Sequence, residues 1–462
     1  MERISKMNHR YHSEITIETR IGKVLGMKNE CCRRFLGVPY AHAGRFEYAV
    51  LNDGGEETID ARQRGPACPQ NRAVHEHLEN PVRRFYKREF RDGIDFSYSE
   101  DCLNLNIFTP VNAAGCPVII FIHGGGFDSG INSESPYDGC GLAGRGIVSV
   151  FINYRVGVLG YFTHEELKKR CGREGNFGLD DQLTAVKWVR KYITDFGGDP
   201  ENITLMGQSA GAISIQYLCL NPDNRGLFRR AVMMSGGGCF PKFSLPKKAE
   251  DTRGYWLQFM QAAGCDSFED FRRAELSVLF DALEAIKKER KDSVYHTMPV
   301  IDGMLLKGPV DELIKKPLPV DYMIGYTNND MAAPVMAFIG NSFGKKNGAF
   351  IYYFDIDAPG DRNRAFHSSD LRYMFETLDL SWRPYSGRDH EVSGLMAAYL
   401  ANFAAYGDPN GKGGEQSLPV WKPAKNGLFT DVLHIGKKTV SMGHVNYLKL
   451  AVNALTVGDP KA

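Results

Sequence analysis

The stretch that decides the fold is Gly207-Gln208-Ser209-Ala210-Gly211. It follows a short run with alternating apolar residues, 202–206, and precedes an apolar segment, 212–220, that is typical of a helix. A serine between two glycines at a strand–turn–helix junction is the G-x-S-x-G pattern of an exposed nucleophile. We expect a strained backbone at Ser209, and glycines where a β-carbon would clash between strand and helix. The alternative is an ordinary Gly/Ser turn, because both residues are common in turns.

Composition restricts the class of protein and of partner. The 462 residues are 43% hydrophobic and 24% charged, with a formal net charge of +1. This balance gives no indication of a nucleic-acid or anionic-membrane partner. No apolar run approaches the ~20 residues that span a bilayer, and residues 1–21 lack the apolar segment of a secretory signal. We therefore expect a cytoplasmic protein.

Ten cysteines are present, and none has C-x-x-C spacing, so zinc is not expected. We interpret the adjacent Cys31 and Cys32 as packing residues. Without a secretory signal, we expect the thiols to remain reduced.

Apolar strands alternate with amphipathic helices along the chain. Residues 14–27 predict an N-terminal hairpin. Strands are expected at 100–108, 118–122, 147–153, 202–206, 231–234, 320–326 and 349–354, and helices at 179–196, 212–220, 249–264, 271–288 and 388–406. This alternation predicts an α/β protein with a mostly parallel central sheet and helices on both faces. No linker divides the chain, so we predict one domain over residues 1–462.

The serine needs a base, and the base needs an acid. In strand–serine–helix folds the order along the chain is serine, acid, histidine. Asp330 follows the predicted strand 320–326 and is the expected acid, with Asp355 and Asp357 as alternatives after the next strand. His367 follows strand 349–354 and is the expected base. The later histidines, His390, His434 and His444, are less favourably placed.

The run His123-Gly124-Gly125-Gly126-Phe127 directly follows a buried strand. The N–H groups of Gly125 and Gly126, with that of Ala210 at the start of the helix, predict an oxyanion hole. His123 is expected to orient this loop. The alternative is a flexible triple-glycine turn.

Taken together, these motifs resemble those of the type-B carboxylesterases, the family that includes cholinesterases and para-nitrobenzyl esterases. The matching stretches are 100–106 (EDCLNLN), 123–127 (HGGGF), 153–160 (NYRVGVLG), 175–182 (GNFGLDDQ), 196–200 (FGGDP), 207–211 (GQSAG) and 403–410 (FAAYGDPN). The resemblance implies an α/β-hydrolase fold, a Ser209 nucleophile, a His367 base, the same oxyanion donors and no cofactor. It also implies a Glu100–Arg155 salt bridge and, as in secreted relatives, a possible Cys68–Cys102 disulfide, which the sequence leaves open.

Two departures from the family pattern are visible. The family has a glutamate as the triad acid, whereas Asp330 stands here. Only residues 331–348 separate the acid from the next strand, where the family carries a longer helical insertion. We therefore predict a shortened helical cap, formed by segments 41–100, 240–318 and 331–348, and a shallower, more open cleft.

The leading hypothesis is a serine hydrolase that cleaves small carboxylic esters through an acyl-enzyme. The alternatives are a non-catalytic interaction protein with a cholinesterase-like fold and an acyltransferase that uses the same acyl-enzyme. Sequence decides neither the natural ester nor the oligomeric state.

Overall fold

A computed structural model describes residues 11–55, 57–71, 79–238, 245–290, 296–330, 348–412, 418–424, 431–444 and 452. The predicted cap segment 331–348 lies outside the described residues except for its last position. Its length therefore remains a sequence observation, and the open cleft remains a prediction. Among the described helices, none has the length and apolar character needed to cross a membrane.

The strands of the described chain form one large mixed sheet and one small pair. They are β1 Ser13–Thr19, β2 Gly22–Lys28, β3 Cys32–Pro39, β4 Ala41–His42, β5 Val50–Leu51, β6 Ile59–Asp60, β7 Asn104–Pro110, β8 Cys116–Ile122, β9 Val148–Ile152, β10 Gly198–Gln208, β11 Arg230–Met234, β12 Asp321–Thr327, β13 Phe350–Asp355, β14 Asp431–Gly436 and β15 Val440–His444. The large sheet runs β1-β2-β3-β7-β9-β8-β10-β11-β12-β13-β14-β15, with β6 beside β2.

The centre of this sheet is parallel and its two ends are antiparallel. All neighbours from β9 through β8 and β10 to β14 are parallel. The hairpin β1–β2, its neighbours β3 and β7, and the final pair β14–β15 are antiparallel. The predicted N-terminal hairpin and the mostly parallel centre are confirmed. This topology is that of an α/β-hydrolase.

Helices cover both faces of the sheet. The described α-helices are α1 Pro81–Phe90, α2 Cys140–Ala143, α3 Gly157–Tyr161, α4 Glu165–Cys171, α5 Phe177–Tyr192, α6 Ala210–Leu220, α7 Ala249–Ala262, α8 Phe268–Arg273, α9 Leu276–Arg290, α10 Val310–Leu313, α11 Leu371–Met374 and α12 Gly387–Tyr406. The predicted helix 271–288 is wrong in one respect. The backbone of Ala274 is extended, and this residue ends α8 before α9 begins.

Strand β8 shows why its sequence is apolar without interruption. Ile120 and Ile122 pack in the core cluster that contains residues of α5 and α6. Ile119 and Phe121 point to the other face and pack in the cluster that contains residues of α12. Because successive side chains of a strand face opposite sides, a strand covered on both faces needs apolar residues at every position.

The expected salt bridge between Arg155 and Glu100 is wrong. The Arg155 guanidinium instead donates to the buried Asp181 carboxylate at 2.6 and 2.8 Å, while Glu100 accepts from Arg45 Nε at 2.8 Å. Burial explains the choice, since a buried guanidinium needs a carboxylate that shares its desolvated site.

The thiols of Cys68 and Cys102 are not free. The structure joins them in a disulfide. The expectation that every cysteine stays reduced is therefore wrong at these two positions.

Candidate active site

Ser209 occupies the sharp turn between β10 and α6. Its backbone has φ 55° and ψ −123°, a left-handed conformation that is costly for a residue with a β-carbon. The turn is held from both sides. The Ser209 N–H donates to the carbonyl of Met234 on β11 at 2.8 Å, and its carbonyl accepts from Ile213 N in α6 at 3.0 Å. The predicted strain at the serine is confirmed.

The glycines around Ser209 allow this turn. A β-carbon on Gly207 would lie 2.6 Å from the Gly211 carbonyl carbon, and one on Gly211 would lie 2.0 Å from the Ile122 carbonyl oxygen. Both glycines are therefore required for steric reasons, as predicted. Sequence reasoning missed Gly236, where a β-carbon would lie 2.1 Å from the Ser209 carbonyl oxygen.

The predicted base and acid meet. His367 Nδ1 lies 3.2 Å from Asp330 Oδ2. Their loops are joined through the backbone, since Asn329 N donates to Ala365 O at 2.9 Å. Asp330 is buried, whereas the His367 side chain is 31% exposed. This contact places the Nδ1 proton toward the acid and makes Nε2 the proton acceptor.

The electrostatics of His367 reflect two opposing effects. Burial lowers its pKa, whereas the attraction of Asp330 and its hydrogen bond to the imidazole raise it, and the net direction is above the usual 6.5. The charged imidazolium that forms when a base takes a proton is thus stabilised at this position. This is what the acid of a triad must do.

The alternative residues form separate pairs. His434 Nε2 lies 3.3 Å from Asp355, His390 Nε2 lies 2.8 Å from Asp379, and His444 Nδ1 lies 3.2 Å from Asp431. These histidines are 39–66% exposed. His434 lies within β14, which three strands separate from β10 and its serine. Position in the sheet therefore favours Asp330 and His367 over these pairs.

Gln208 contacts the base, which sequence reasoning missed. Its buried side-chain amide nitrogen lies 3.0 Å from His367 Nε2. With Nδ1–H directed to Asp330, the amide donates and the imidazole nitrogen accepts. Nε2 is also the atom that would take the proton from Ser209, so the amide and the hydroxyl compete for it. The available sequence signal was adjacency, because Gln208 immediately precedes the serine in the same turn.

A second carboxyl lies close behind the base. Asp370 is fully buried and accepts a hydrogen bond from Tyr352 at 2.7 Å. Burial raises its pKa to about 6, and the nearby Asp330 charge acts in the same direction. The Tyr352 ring occupies the space beside Gly325, where a β-carbon would lie 1.8 Å from it. Sequence offered one signal for Asp370, its position three residues after His367.

The triple-glycine loop lies against the serine turn. A β-carbon on Gly124 would be 2.9 Å from the β-carbon of Ser209. Gly125 and Gly126 have φ of 116° and 65°, and the N–H of Ser129 donates to the Gly125 carbonyl at 3.1 Å, so residues 125–129 form a tight turn. Ala210 begins α6, where first-turn N–H groups have no partner within the helix.

His123 holds this loop and lies in the core. Its Nδ1–H donates to the Gly124 carbonyl at 2.9 Å, and its ring stacks on Tyr154 at 4.3 Å between centroids. Burial lowers its pKa to about 4, so it stays neutral. This arrangement fits the predicted orienting role.

In the described ranges, no group of three or more histidine, cysteine or acidic side chains is arranged to hold a metal ion. The turn at Ser209 combines a serine with a strained backbone, a preceding Gln208 whose amide contacts an imidazole with a paired acid, and N–H groups of two glycine-rich turns. Chemically, this set can activate a hydroxyl for attack on a carbonyl carbon.

Comparison with known proteins gives similar sequences and similar folds. Gut esterase 1 of Caenorhabditis elegans is 32% identical over 326 residues, which cover 68% of this chain and 53% of the relative. Fumonisin B1 esterase of Sphingopyxis macrogoltabida is 31% identical over 395 residues, covering 79% of this chain and 68% of the relative. The chain thus spans about half to two thirds of the length of these relatives.

A solved thermophilic PNB esterase superposes with a TM-score of 0.80 at 23% identity, over 95% of this chain and 100% of that one. At this identity the superposition establishes the α/β-hydrolase fold. The model of the carboxylesterase family matches in two segments, residues 13–345 and 331–451. The chain therefore belongs to the carboxylesterase family.

Proposed function

We propose that this chain is a serine hydrolase that cleaves carboxylic esters through an acyl-enzyme, with Ser209 as nucleophile, His367 as base and Asp330 as acid. The observation that carries the proposal is the 3.2 Å contact between His367 Nδ1 and the buried Asp330, with Gln208, the neighbour of Ser209, at the other ring nitrogen. Family membership supports the same reaction.

The proposed reaction has two halves. Ser209 Oγ attacks the ester carbonyl while His367 Nε2 takes its proton, and the imidazolium then gives that proton to the leaving alkoxide. Water enters, gives a proton to the same nitrogen and attacks the acyl carbon; the intermediate then releases the acid as the imidazolium returns that proton to Ser209 Oγ. The N–H groups of Gly125, Gly126 and Ala210 stabilise the oxyanion in both halves.

For this cycle the Gln208 amide must yield His367 Nε2 to the serine hydroxyl. A hydrogen bond of this kind contributes about 1 kcal/mol net, which is small beside the stabilisation of the transition state. Once the imidazole is charged, its Nε2–H becomes a donor. The Gln208 N–H₂ then no longer has an acceptor at this nitrogen, so the contact favours the neutral imidazole.

The proposed substrates are small carboxylic esters of undetermined acyl group. The relatives carry the names gut esterase and fumonisin B1 esterase. The open cleft inferred from the short segment 331–348 predicts tolerance for bulky acyl groups. A series of p-nitrophenyl esters of rising chain length tests this, and a sharp preference for acetate contradicts it.

A fluorophosphonate probe tests the nucleophile. We expect labelling of the wild type, loss of labelling in Ser209→Ala, and loss of ester hydrolysis in the same variant. Ser235→Ala is the matched control, because Ser235 also follows a parallel strand with a positive φ (49°). Equal labelling of Ser209→Ala and the wild type would refute the proposal.

The same experiment separates the alternatives. A non-catalytic interaction protein would neither be labelled nor turn over any ester. An acyltransferase would be labelled and would form a new ester when an alcohol acceptor is added, in place of the free acid. Product analysis with and without the alcohol distinguishes the two reactions.

We also propose a single domain over residues 1–462 and a cytoplasmic location. The Cys68–Cys102 disulfide weighs against the location, since such bonds are typical of oxidising compartments. Fractionation of the native cells tests it.

A further inference from the structure

Three free cysteines gather where the turn from β2 to β3 meets the start of α2. Cys31 and Cys32 lie at the turn from β2 to β3, and Cys140 begins α2. Cys31 is exposed, Cys140 is half-buried and Cys32 is buried. The sulfur atoms of Cys31 and Cys140 are 3.6 Å apart, which is van der Waals contact. Residues 109 positions apart in sequence thus present two thiols to each other at the surface.

Asn29 fixes both sides of this contact. Its Oδ1 accepts the backbone N–H groups of Cys31 at 3.0 Å and Cys32 at 2.7 Å. Its Nδ2 donates to the sulfur of Cys140 at 3.4 Å. On the other side, the N–H of Cys140 donates to Asp138 Oδ1 at 2.8 Å. The two sulfurs therefore meet because the backbones of Cys31 and Cys140 are held by hydrogen bonds. Bringing the sulfurs together for a reaction then costs little conformational entropy.

The two thiols differ in acidity. Hydrogen bonding from Cys32 lowers the pKa of Cys140 to about 6, with Asn29 and Cys31 adding to the effect against burial. Burial and the neighbouring Cys140 raise the pKa of Cys31 to about 11. At neutral pH one member of the pair is a thiolate and the other a thiol. This is the combination of an attacking and a resolving cysteine.

We infer that Cys31 and Cys140 are a redox-modification site, which hydroperoxides oxidise to a disulfide between the β2–β3 turn and α2. The Cys140 thiolate attacks the terminal peroxide oxygen, the O–O bond breaks, and the leaving alkoxide takes a proton to become an alcohol. Cys140 is then a sulfenic acid.

The sulfur of Cys31 next attacks the sulfur of Cys140. Hydroxide leaves and takes the Cys31 proton, giving water. The two thiols together lose two electrons, which reduce the peroxide. The sulfurs must close from 3.6 Å to about 2.05 Å, a movement that rotation of an exposed side chain can supply. A dithiol reductant reverses the step by thiol–disulfide exchange.

The third cysteine does not take part as a partner. Cys32 is buried, and its sulfur accepts a hydrogen bond from the Tyr11 hydroxyl at 3.8 Å. Cys32 is the first residue of β3 and is buried, whereas Cys31 precedes the strand and is exposed. The effect of Cys32 on the pair is to lower the pKa of Cys140.

The test uses the full chain and hydrogen peroxide. Protein kept in mild reductant is desalted, treated with stoichiometric peroxide, denatured in an alkylating agent and digested. We expect two fewer alkylated thiols, a peptide that links residues 29–33 to Cys140, and reversal by dithiothreitol. The link should persist in Cys32→Ser and vanish in Cys31→Ser. Cys171→Ser, which removes another exposed thiol, is the matched control and should leave it unchanged.

Two further readouts follow from the geometry. Asn29→Ala removes three hydrogen bonds that hold the pair and should slow formation of the link at least about fivefold, which is the value of one hydrogen bond. The oxidised protein should melt about 2–4 °C higher than the reduced one, because the link constrains the unfolded chain. Full alkylation of both cysteines after peroxide, or a link from Cys140 to Cys32, would overturn the inference.

Discussion

The contact between Asp330 and His367 gives the sharpest prediction, the effect of Asp330→Asn. The substitution keeps the size of the side chain and removes its charge. The new amide N–H₂ can donate to Nδ1, which places the imidazole proton on Nε2. In that tautomer His367 cannot accept the proton of Ser209. The variant loses the correct tautomer and the attraction that stabilises the imidazolium.

The magnitude follows from the distance. At an effective dielectric constant of about 20, unit charges 3.2 Å apart attract by about 5 kcal/mol. The attraction exists only when the imidazole is charged, so it stabilises the transition state selectively. Since about 1.4 kcal/mol corresponds to tenfold in rate, we expect kcat to fall 10³- to 10⁴-fold. KM should change little, because Asp330 is buried away from the ester.

The assay is hydrolysis of p-nitrophenyl esters from pH 5 to 9, with the thermal midpoint as a control for folding. Neutral His367 is the active form, and its pKa is raised, so wild-type kcat/KM should fall as pH drops through a midpoint above 6.5. In Asp330→Asn the residual activity should have a lower midpoint, because the charge that raised the pKa is gone.

Asp355→Asn is the matched control. It removes the charge of another carboxylate paired with a histidine, His434, at 3.3 Å. Its activity should stay within about threefold of the wild type. The assignment of the acid would be refuted if Asp330→Asn lost less than tenfold in kcat, or if Asp355→Asn lost more activity than Asp330→Asn.

Three other substitutions test the surroundings of the site. Gly211→Ala should destabilise the fold by about 1–3 kcal/mol through its clash with β8, seen as a lower thermal midpoint; an unchanged midpoint contradicts the steric argument. Arg155→Met leaves the Asp181 carboxylate buried and unpaired, and should cost about 3–5 kcal/mol in urea unfolding; a cost below 1 kcal/mol would show the pair is dispensable. Gln208→Leu removes a hydrogen bond that favours neutral His367, so the pKa of His367 should rise and the acid limb of kcat/KM should move up by about 0.5–1 pH unit. A downward move would mean that the amide stabilises the imidazolium.

Sequence predicted the elements of the site because the site is built on regular structure. The steric roles of Gly207 and Gly211 were readable, since a serine lifted from a strand–helix junction needs small residues two positions away on each side. Asp330 and His367 were readable from the rule that functional residues follow parallel strands at one edge of the sheet. The apolar run of β8 gave the buried central strand.

Sequence failed where the partner was decided by packing in three dimensions. Motif resemblance suggested Glu100 for Arg155, but burial beside α5 gave it Asp181. The helix break at Ala274 left no proline or glycine signal. In the sequence, Gln208 and Asp370 are only neighbours of functional residues. The folded chain brings the Gln208 side chain to His367 and the Asp370 side chain near Asp330.

The amino-acid order alone determined the parallel sheet, the serine turn and the residue types of the reaction, because these depend on periodicity and on local backbone sterics. The tertiary structure decided which charges are paired, which thiols face each other and which amide contacts the imidazole. Those choices depend on distances between residues that lie from 26 to 159 positions apart in sequence, and solvent exclusion at each contact sets their energy.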